Sequence, residues 1–140
     1  MPRSVIAAFV FMASIIGCGQ DKASGNDTDT RTDSPRQGKA FVETTTRDLG
    51  TLKYGDVAGA KFKIKNTGDG PITISDIEKG CACTEVKYES SPIAGGSERT
   101  IEVIFDSKGL SGYQYKTIAV ILEGCDTKRV KLAITANIEY

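Results

Sequence analysis

The stretch AKFKIKNTGDGP, residues 60–71, decides the fold class because it joins an alternating apolar run to a strong turn. Ala60, Phe62 and Ile64 alternate with lysines, and successive side chains of a β-strand point to opposite faces. The run therefore predicts a strand with one apolar face and one solvated face. The Asn-Thr-Gly-Asp-Gly-Pro segment ends it, since glycine accepts positive φ and proline opens the next strand.

The same period of two recurs further along the chain. Residues 101–105 and 130–138 alternate in the same way, and no window shows a helical period near 3.6. Turn-forming segments lie at 94–97, 108–112 and 123–126. We place strands at 41–46, 58–66, 71–78, 82–88, 98–106, 113–122 and 127–138. This spacing predicts an all-β, seven-stranded immunoglobulin-like sandwich, and connections this short favour antiparallel pairs.

The N-terminal segment has the features of a lipoprotein export signal. Arg3 precedes an apolar run at residues 5–16, which as a helix rises roughly 18 Å and is too short for a bilayer core of about 30 Å. The run ends in Ile-Gly-Cys, which resembles the lipobox of bacterial lipoproteins. The resemblance implies that residues 1–17 are a signal peptide and that Cys18 is lipidated, for example with palmitate. An ordinary signal peptide with an incidental Cys18 is the alternative.

Residues 18–39 are predicted to tether this anchor to a domain at 40–140. After Cys18 the segment has Ala23 as its only aliphatic side chain, so it has nothing to bury and is expected to be disordered. Gly19 stands where many lipoproteins of the inner membrane carry aspartate, which by resemblance favours the outer membrane. We expect export across the inner membrane and lipid anchoring in the bacterial envelope, where disulfide bonds persist.

Composition argues against several function classes. The chain has 18 basic and 18 acidic side chains and no histidine. Balanced charge offers no basic stripe for nucleic acid, and the lack of histidine removes the usual general base and the commonest metal ligand. The sequence has no paired catalytic carboxylates, no Gly-x-Ser-x-Gly elbow and no nucleotide fingerprint. We therefore predict that the protein is not an enzyme, uses no cofactor and binds no nucleic acid.

The cluster Cys81-Ala82-Cys83-Thr84 is the only group of potentially reactive residue types in the chain. Cα atoms two residues apart on a strand are about 6.7 Å apart, at the outer limit for a disulfide bond. A bond from Cys81 or Cys83 to Cys125 closes a loop of about 42–44 residues and is worth around 4 kcal/mol in the chain-entropy model. We expect this bond first. The alternatives are three buried thiols, a Cu(I) site of two or three thiolates, and a redox centre.

Two further clusters have a structural and a binding interpretation. We interpret the lysines of residues 61–65 as a solvated face that guards an edge strand, with a contact to anionic lipid or polysaccharide as the alternative. Tyr113 and Tyr115, with Tyr88 nearby, are interpreted as tyrosines that pack at a sheet edge with their hydroxyls in water. A sugar-stacking platform is the alternative for these three.

The spaced motifs together resemble one bacterial family. Its layout is followed by Phe41, Leu49-Gly50, Gly55, Phe62, Asn66-Thr67-Gly68, Pro71, Ile74, Cys81-Ala82-Cys83-Thr84, Phe105, Gly112 and Lys116. The family is domain of unknown function fifteen seventy-three, secreted or lipid-anchored immunoglobulin-like domains with a Cys-Gly-Cys-Thr signature. Its Asn-Thr-Gly turn is also similar to that of PapD-like and major-sperm-protein-like (MSP-like) sandwiches. The resemblance implies fold and location, and it implies no activity because the family has none established.

These features predict a non-catalytic envelope lipoprotein whose sandwich is an interaction or structural module. Its expected partners are the membrane, through the lipid on Cys18, and an envelope protein or glycan that the sequence does not identify. The alternative is a thiol-based Cu(I)-binding or redox module that uses Cys81, Cys83 and Cys125.

Overall fold

The computed structural model describes residues 36–140, which form eight β-strands and no helix. The strands are β1 (Ala40–Val42), β2 (Thr46–Lys53), β3 (Val57–Asn66), β4 (Thr73–Lys79), β5 (Thr84–Lys87), β6 (Glu98–Asp106), β7 (Gly112–Glu123) and β8 (Arg129–Glu139). They build two sheets with the orders β1-β3-β6-β5 and β2-β8-β7-β4. The predicted all-β sandwich is confirmed. Within residues 36–140 nothing resembles a membrane-crossing helix in length and apolar character.

The prediction of seven strands in antiparallel pairs is wrong at β2, which it missed. β2 pairs with β8 in parallel, whereas the other neighbouring strands are antiparallel. A bulge between Asp48 and Thr51 spaces the half-buried Leu49 and Leu52 three residues apart, which hides the period of two. Gly50 takes a φ of 74° in this bulge, a conformation that costs glycine little. Parallel strands cannot be joined by a tight turn, but β2 and β8 are far apart in the sequence, and the strands between them carry the chain back to the same end.

The two sheets face each other across one apolar core. Inward positions alternate along the strands and are at most 7% exposed. The central ones are Ala60, Phe62, Ile64, Ile101, Val103, Phe105, Ile118, Val120, Leu122, Leu132, Ile134, Ala136 and Ile138. Full burial of one large apolar side chain contributes about 1.5–3 kcal/mol, and a one-residue slip would turn a whole strand's apolar set outward. The alternation seen in the sequence therefore sets the register.

The lysines of residues 61–65 lie on the solvated face of β3, which β1 covers only from Ile64 to Asn66. Within residues 36–140 no strand covers Lys61 and Lys63 on that side, which agrees with the sequence interpretation of lysines along an edge. They lie opposite acidic side chains of β6 on the solvated face. Lys63 Nζ is 2.7 Å from Glu98 Oε1, and Lys61 is in register with Glu102. The hydrogen bond and charge of this exposed pair raise the pKa of Lys63 and lower the pKa of Glu98. Water screens the charges of such an exposed ion pair, so the pair stabilises the pairing of β3 with β6 only weakly.

The connections gather at two ends of the sandwich, which we call the N-terminal pole and the cystine pole. The N-terminal pole comprises residues 36–39, 67–72, 94–97 and 124–128, joined by hydrogen bonds such as Gly38 N to Gly124 O at 2.8 Å. The cystine pole comprises residues 54–56, 80–83, 107–111 and 140, joined by bonds such as Asp106 N to Cys83 O at 3.0 Å. β7 runs from the cystine pole to the N-terminal pole.

Asn66 organises the N-terminal pole with a buried, fully bonded side chain. Its Nδ2 donates to the carbonyls of Gly70 and Ile93 at 2.7 and 2.9 Å. Its Oδ1 accepts from the backbone N–H groups of Lys39 and Gly68 at 3.1 and 3.0 Å. A buried amide is tolerated only when its polar groups are bonded, so the Asn-Thr-Gly turn has a structural reason to begin with asparagine.

The predicted signal peptide at 1–17, Cys18 and most of the predicted tether at 18–39 lie outside the described residues. Residues 36–39 are described, and Gly38 forms a parallel bridge with Cys125. The contacts of the sandwich therefore begin ahead of Ala40.

Candidate functional site

A disulfide bond joins Cys81 and Cys83 at the cystine pole. These residues lie between β4 and β5, where the chain passes from one sheet to the other. Gly80 N donates to Thr117 O at 3.2 Å, and the turn then closes with Thr84 Oγ1 donating to Cys81 O at 2.9 Å. The two Cα atoms are 5.2 Å apart, closer than in a strand, because the chain turns at this point.

The bond expected first from the sequence, to Cys125, is not formed. Cys125 is a free, buried thiol at the N-terminal pole, where its Sγ donates to Thr127 O at 3.0 Å. Thr117, beside the 81–83 turn, and Glu123, at the end of β7 ahead of Cys125, are six residues of strand apart, which span roughly 20 Å. The three cysteines therefore cannot share one ion or one redox centre. Residues 36–140 contain no group of three His, Cys, Asp or Glu side chains arranged to hold a metal.

The thiol of Cys125 belongs to the core. Removal from water raises its pKa, and this effect exceeds the opposing one of the Thr127 backbone. The thiol therefore stays protonated near neutral pH, whereas the thiolate is the form that reacts and binds metals. Cys125 is a packing residue.

The tyrosines singled out from the sequence do not form one platform. Tyr113 and Tyr115 lie on the outer face of β7 and are 70% and 54% exposed. Tyr88 lies instead beside Asp76 and Ile77, between the edges of β4 and β5. A sugar-stacking surface of all three is excluded by this separation.

A second pair of tyrosines at the cystine pole was not predicted. The rings of Tyr54 and Tyr140 stack with centroids 5.1 Å apart and an interplanar angle of 16°. They meet because Tyr54 N donates to Glu139 O at 2.8 Å, which continues the parallel pairing of β2 with β8. The contact depends on the pairing of β2 with β8, which joins residues far apart in the sequence. No local sequence pattern therefore predicts it.

The edge of β7 near the cystine pole is uncovered. β8 pairs with β7 from Gly112 to Ile121, whereas β4 covers only Ile118–Glu123 on the other side. Among the described residues, no strand lies beside residues 112–116 on that side. We call this uncovered edge, residues 112–116 together with Gly80 and the 81–83 turn, the β7 notch.

A groove on the outer face of the sheet adjoins the β7 notch. It is lined by Glu78, Lys79, Gly80, Thr117, Ile118, Ala119, Arg129 and Lys131, of which Lys79 and Ile118 are in register with each other on the core side of the sheet. Arg129 forms an ion pair with Glu78 across β7. Lys131, which is in register with Ala119 on the outer face, takes part in none of the ion pairs formed within residues 36–140. The groove thus has more positive than negative charge.

A family model described as "Protein of unknown function (DUF1573)" matches residues 40–138. The matched region contains the disulfide-bonded turn, both tyrosines of β7 and the buried Asn66. A comparison with curated proteins gives no match.

Solved structures share the fold at low sequence identity. A protein of unknown function from Porphyromonas gingivalis W83 has a TM-score of 0.63 and 18% identity over 73% of this chain and 47% of its own. The ASH/PapD-like domain 7 of human CEP192 has a TM-score of 0.59 and 8% identity over 99% of this chain and 98% of its own. The Vibrio cholerae protease VesB has a TM-score of 0.59 and 17% identity over 72% of this chain and 32% of its own.

This chain thus spans about half of the P. gingivalis protein and about a third of VesB. The likenesses confirm the predicted PapD-like, immunoglobulin-like sandwich, and at these identities they carry the fold alone.

Proposed function

Since this chain belongs to the DUF1573 family of proteins of unknown function, we propose that it is a non-catalytic, lipid-anchored module of the bacterial envelope that binds a partner there. One observation carries the proposal, namely that the chain enters the sandwich at one pole while most of the exposed aromatic side chains lie at or next to the other. The entering chain bonds to the N-terminal pole at Gly38. Of the five exposed aromatic residues within residues 36–140, Tyr54 and Tyr140 lie in the cystine pole and Tyr113 and Tyr115 lie on β7 next to it, whereas Phe41 lies near the N-terminal pole. A domain anchored through the N-terminal pole presents these exposed tyrosines at the end that lies away from the anchor.

The charged groups support binding rather than catalysis. Within residues 36–140, the carboxyl groups with shifted pKa values are Glu89 and Glu98, and each owes its shift to hydrogen bonds and a nearby cation on the surface. Shifts that mark an active site combine burial with a specific partner in a cleft. The likeness to VesB covers about a third of that protease at 17% identity, so it transfers no activity.

The anchor is tested by metabolic labelling of the full chain with radioactive palmitate in a bacterial host. We expect label in the wild-type protein and in Cys125→Ala, and none in Cys18→Ala, which should also leave the membrane fraction. Labelled Cys18→Ala would contradict the anchor.

The binding role is tested by crosslinking and recovery of the anchored wild-type protein from envelopes. We expect the same envelope protein or glycan in repeated recoveries, and its loss when Tyr113 and Tyr115 are both changed to threonine. Repeated recoveries without any common partner would count against the function.

A dithiol–disulfide module is the second candidate, and the surface position of the Cys81–Cys83 bond favours it. Both residues are half-buried rather than enclosed. No helix N-terminus lies within residues 36–140 to lower a thiol pKa, which places this candidate second. This dithiol–disulfide function requires that the partner recovered from envelopes form a mixed disulfide with Cys81 or Cys83. Recovery unchanged in Cys81→Ser/Cys83→Ser would eliminate it.

A further inference from the structure

We propose that the β7 notch binds an extended segment of a partner protein, which pairs with the open edge of β7 in line with β4. The inference rests on the proposed binding function and specifies its place and its ligand. Addition of a strand to an uncovered sheet edge is a common mode of peptide recognition, in which backbone hydrogen bonds supply the affinity and side chains the selectivity.

The backbone of Tyr113 and Tyr115 points to the open side of the notch. In antiparallel pairs, both polar groups of a residue face the same neighbour, and the direction alternates along the strand. Thr117 O accepts from Gly80 on the β4 side, so Tyr115 and Tyr113 face that side as well. Within residues 36–140, neither backbone has a partner there. The edge therefore offers two donors and two acceptors in strand geometry.

The disulfide bond explains why the chain itself leaves this edge open. The register of β4 on β7 ends with Lys79 opposite Ile118. A continued β4 would place Ala82 opposite Tyr115. Instead the 81–83 turn directs the chain to the other sheet, where β5 pairs with β6. The turn thus ends β4 and keeps its continuation free for another strand.

The side chains at the notch favour an apolar partner strand. Tyr113 and Tyr115 flank Gln114, so both rings lie on the outer face of the sheet, where they are largely exposed. Residues directly opposite in a paired strand share a face, and aromatic or β-branched residues are the best neighbours for tyrosine. Proteins usually protect uncovered edges with charges or bulges. Within residues 112–116 the pairing with β8 has no bulge, and the one charged residue is Lys116, whose backbone faces β8. Tyr113 and Tyr115, whose backbone faces the open side, carry no charge, which favours an edge that is occupied in use.

The adjoining groove adds a charge requirement. Lys131 lines the outer face of the groove without an ion pair within residues 36–140, while Glu78 is already paired with Arg129. An acidic side chain fits at the end of the segment nearest Gly80. The ligand is therefore an extended polypeptide with aromatic or β-branched residues at alternate positions and an acidic residue at that end.

Amide hydrogen exchange and peptide selection test the proposal on the mature chain. In the free protein we expect fast exchange at Tyr113 and Tyr115, and slow exchange at Gln114 and Lys116, which face β8. A display library of random linear peptides, selected against the protein, should yield sequences of the stated pattern. Each selected peptide should slow exchange at Tyr113 and Tyr115 specifically.

Two variants sharpen the test. Tyr115→Pro removes one donor on the open side and keeps the bonds to β8, and we expect about tenfold weaker peptide binding, the loss of roughly one hydrogen bond. Tyr113→Thr/Tyr115→Thr removes the rings, keeps the strand and should abolish selection of aromatic sequences. Phe41→Thr is the matched control, since Phe41 is 53% exposed on the other sheet.

Three results would overturn the inference. The first is that selected peptides protect amides elsewhere, and the second is that Tyr113 and Tyr115 are already protected in the free monomer. The third is protection that rises with protein concentration as a dimer forms, which would assign the notch to a second copy of the chain. In each case, a partner recovered from envelopes would leave the proposed function standing, so the two can fail separately.

Discussion

Asn66 ties four separate backbone groups of the N-terminal pole to one side chain. Asn66→Ala would leave two carbonyls and two N–H groups without that partner, and each buried unpaired group costs about 1–3 kcal/mol. Since water can reach part of the turn, we expect a loss of about 3 kcal/mol in the free energy of unfolding, measured by urea denaturation. Asn137→Ala, on the exposed face of β8, should change the unfolding free energy by less than about 0.5 kcal/mol. Equal losses in the two variants would refute this role of Asn66.

The buried thiol of Cys125 makes stability depend on pH. Burial raises its pKa above the ordinary value of 9.0, so its contribution is present in full below the pKa of the unfolded thiol. That contribution is lost as the pH rises through the higher pKa of the folded state. We expect the free energy of unfolding to fall more steeply above about pH 9 in the wild type than in Cys125→Ala. Parallel pH profiles would show that the thiol is not desolvated.

At the scale of strands, those that bury alternate residues in the core were the ones that the sequence pattern located well. β3, β6 and β8 bury alternate residues in the core, and the period of two located them to within two residues. β2 was missed because this edge strand with a bulge buries no residue fully and only Leu49 and Leu52 in part. β5 begins at Thr84, later than predicted, because the chain turns at Cys81–Cys83. The cysteine motif was found from the sequence, but its pairing was not, since the pairing depends on that turn.

The disulfide bond between Cys81 and Cys83 contributes to stability and ends β4, the strand that precedes it. Closure of a three-residue loop is worth roughly 1.6 kcal/mol in the chain-entropy model, so Cys81→Ser/Cys83→Ser should lower the free energy of unfolding by about that amount. Freed residues 81–83 can continue β4 along β7, so exchange at the Tyr115 amide should slow. Denaturation and hydrogen exchange measure the two effects, with Asn137→Ala as the control. A loss near 4 kcal/mol, or unchanged exchange at Tyr115, would contradict this role.

At the scale of the whole molecule, the sandwich includes residues ahead of its predicted start. A chain that begins at Ala40 lacks the bonds of Gly38 to Gly124, of Lys39 to Asn66 and of Thr67 to Lys39. At about 1 kcal/mol per hydrogen bond, we expect it to be about 2–3 kcal/mol less stable than a chain that begins at Arg36. Chemical denaturation of the two chains, with the full chain as the reference, measures the difference. Equal stability would place the start of the cooperative unit at Ala40.

The parallel pairing of β2 with β8 has a mechanical consequence. The chain enters at the N-terminal pole and ends at the cystine pole, and β2 and β8 run in the same direction between them. A pull between the two ends draws β2 and β8 past each other along their length. It therefore loads their hydrogen bonds in shear, all together, instead of peeling them apart one at a time. We therefore expect the sandwich to resist tension between its two poles, which is the direction of force that the proposed anchor would impose if the cystine pole were held.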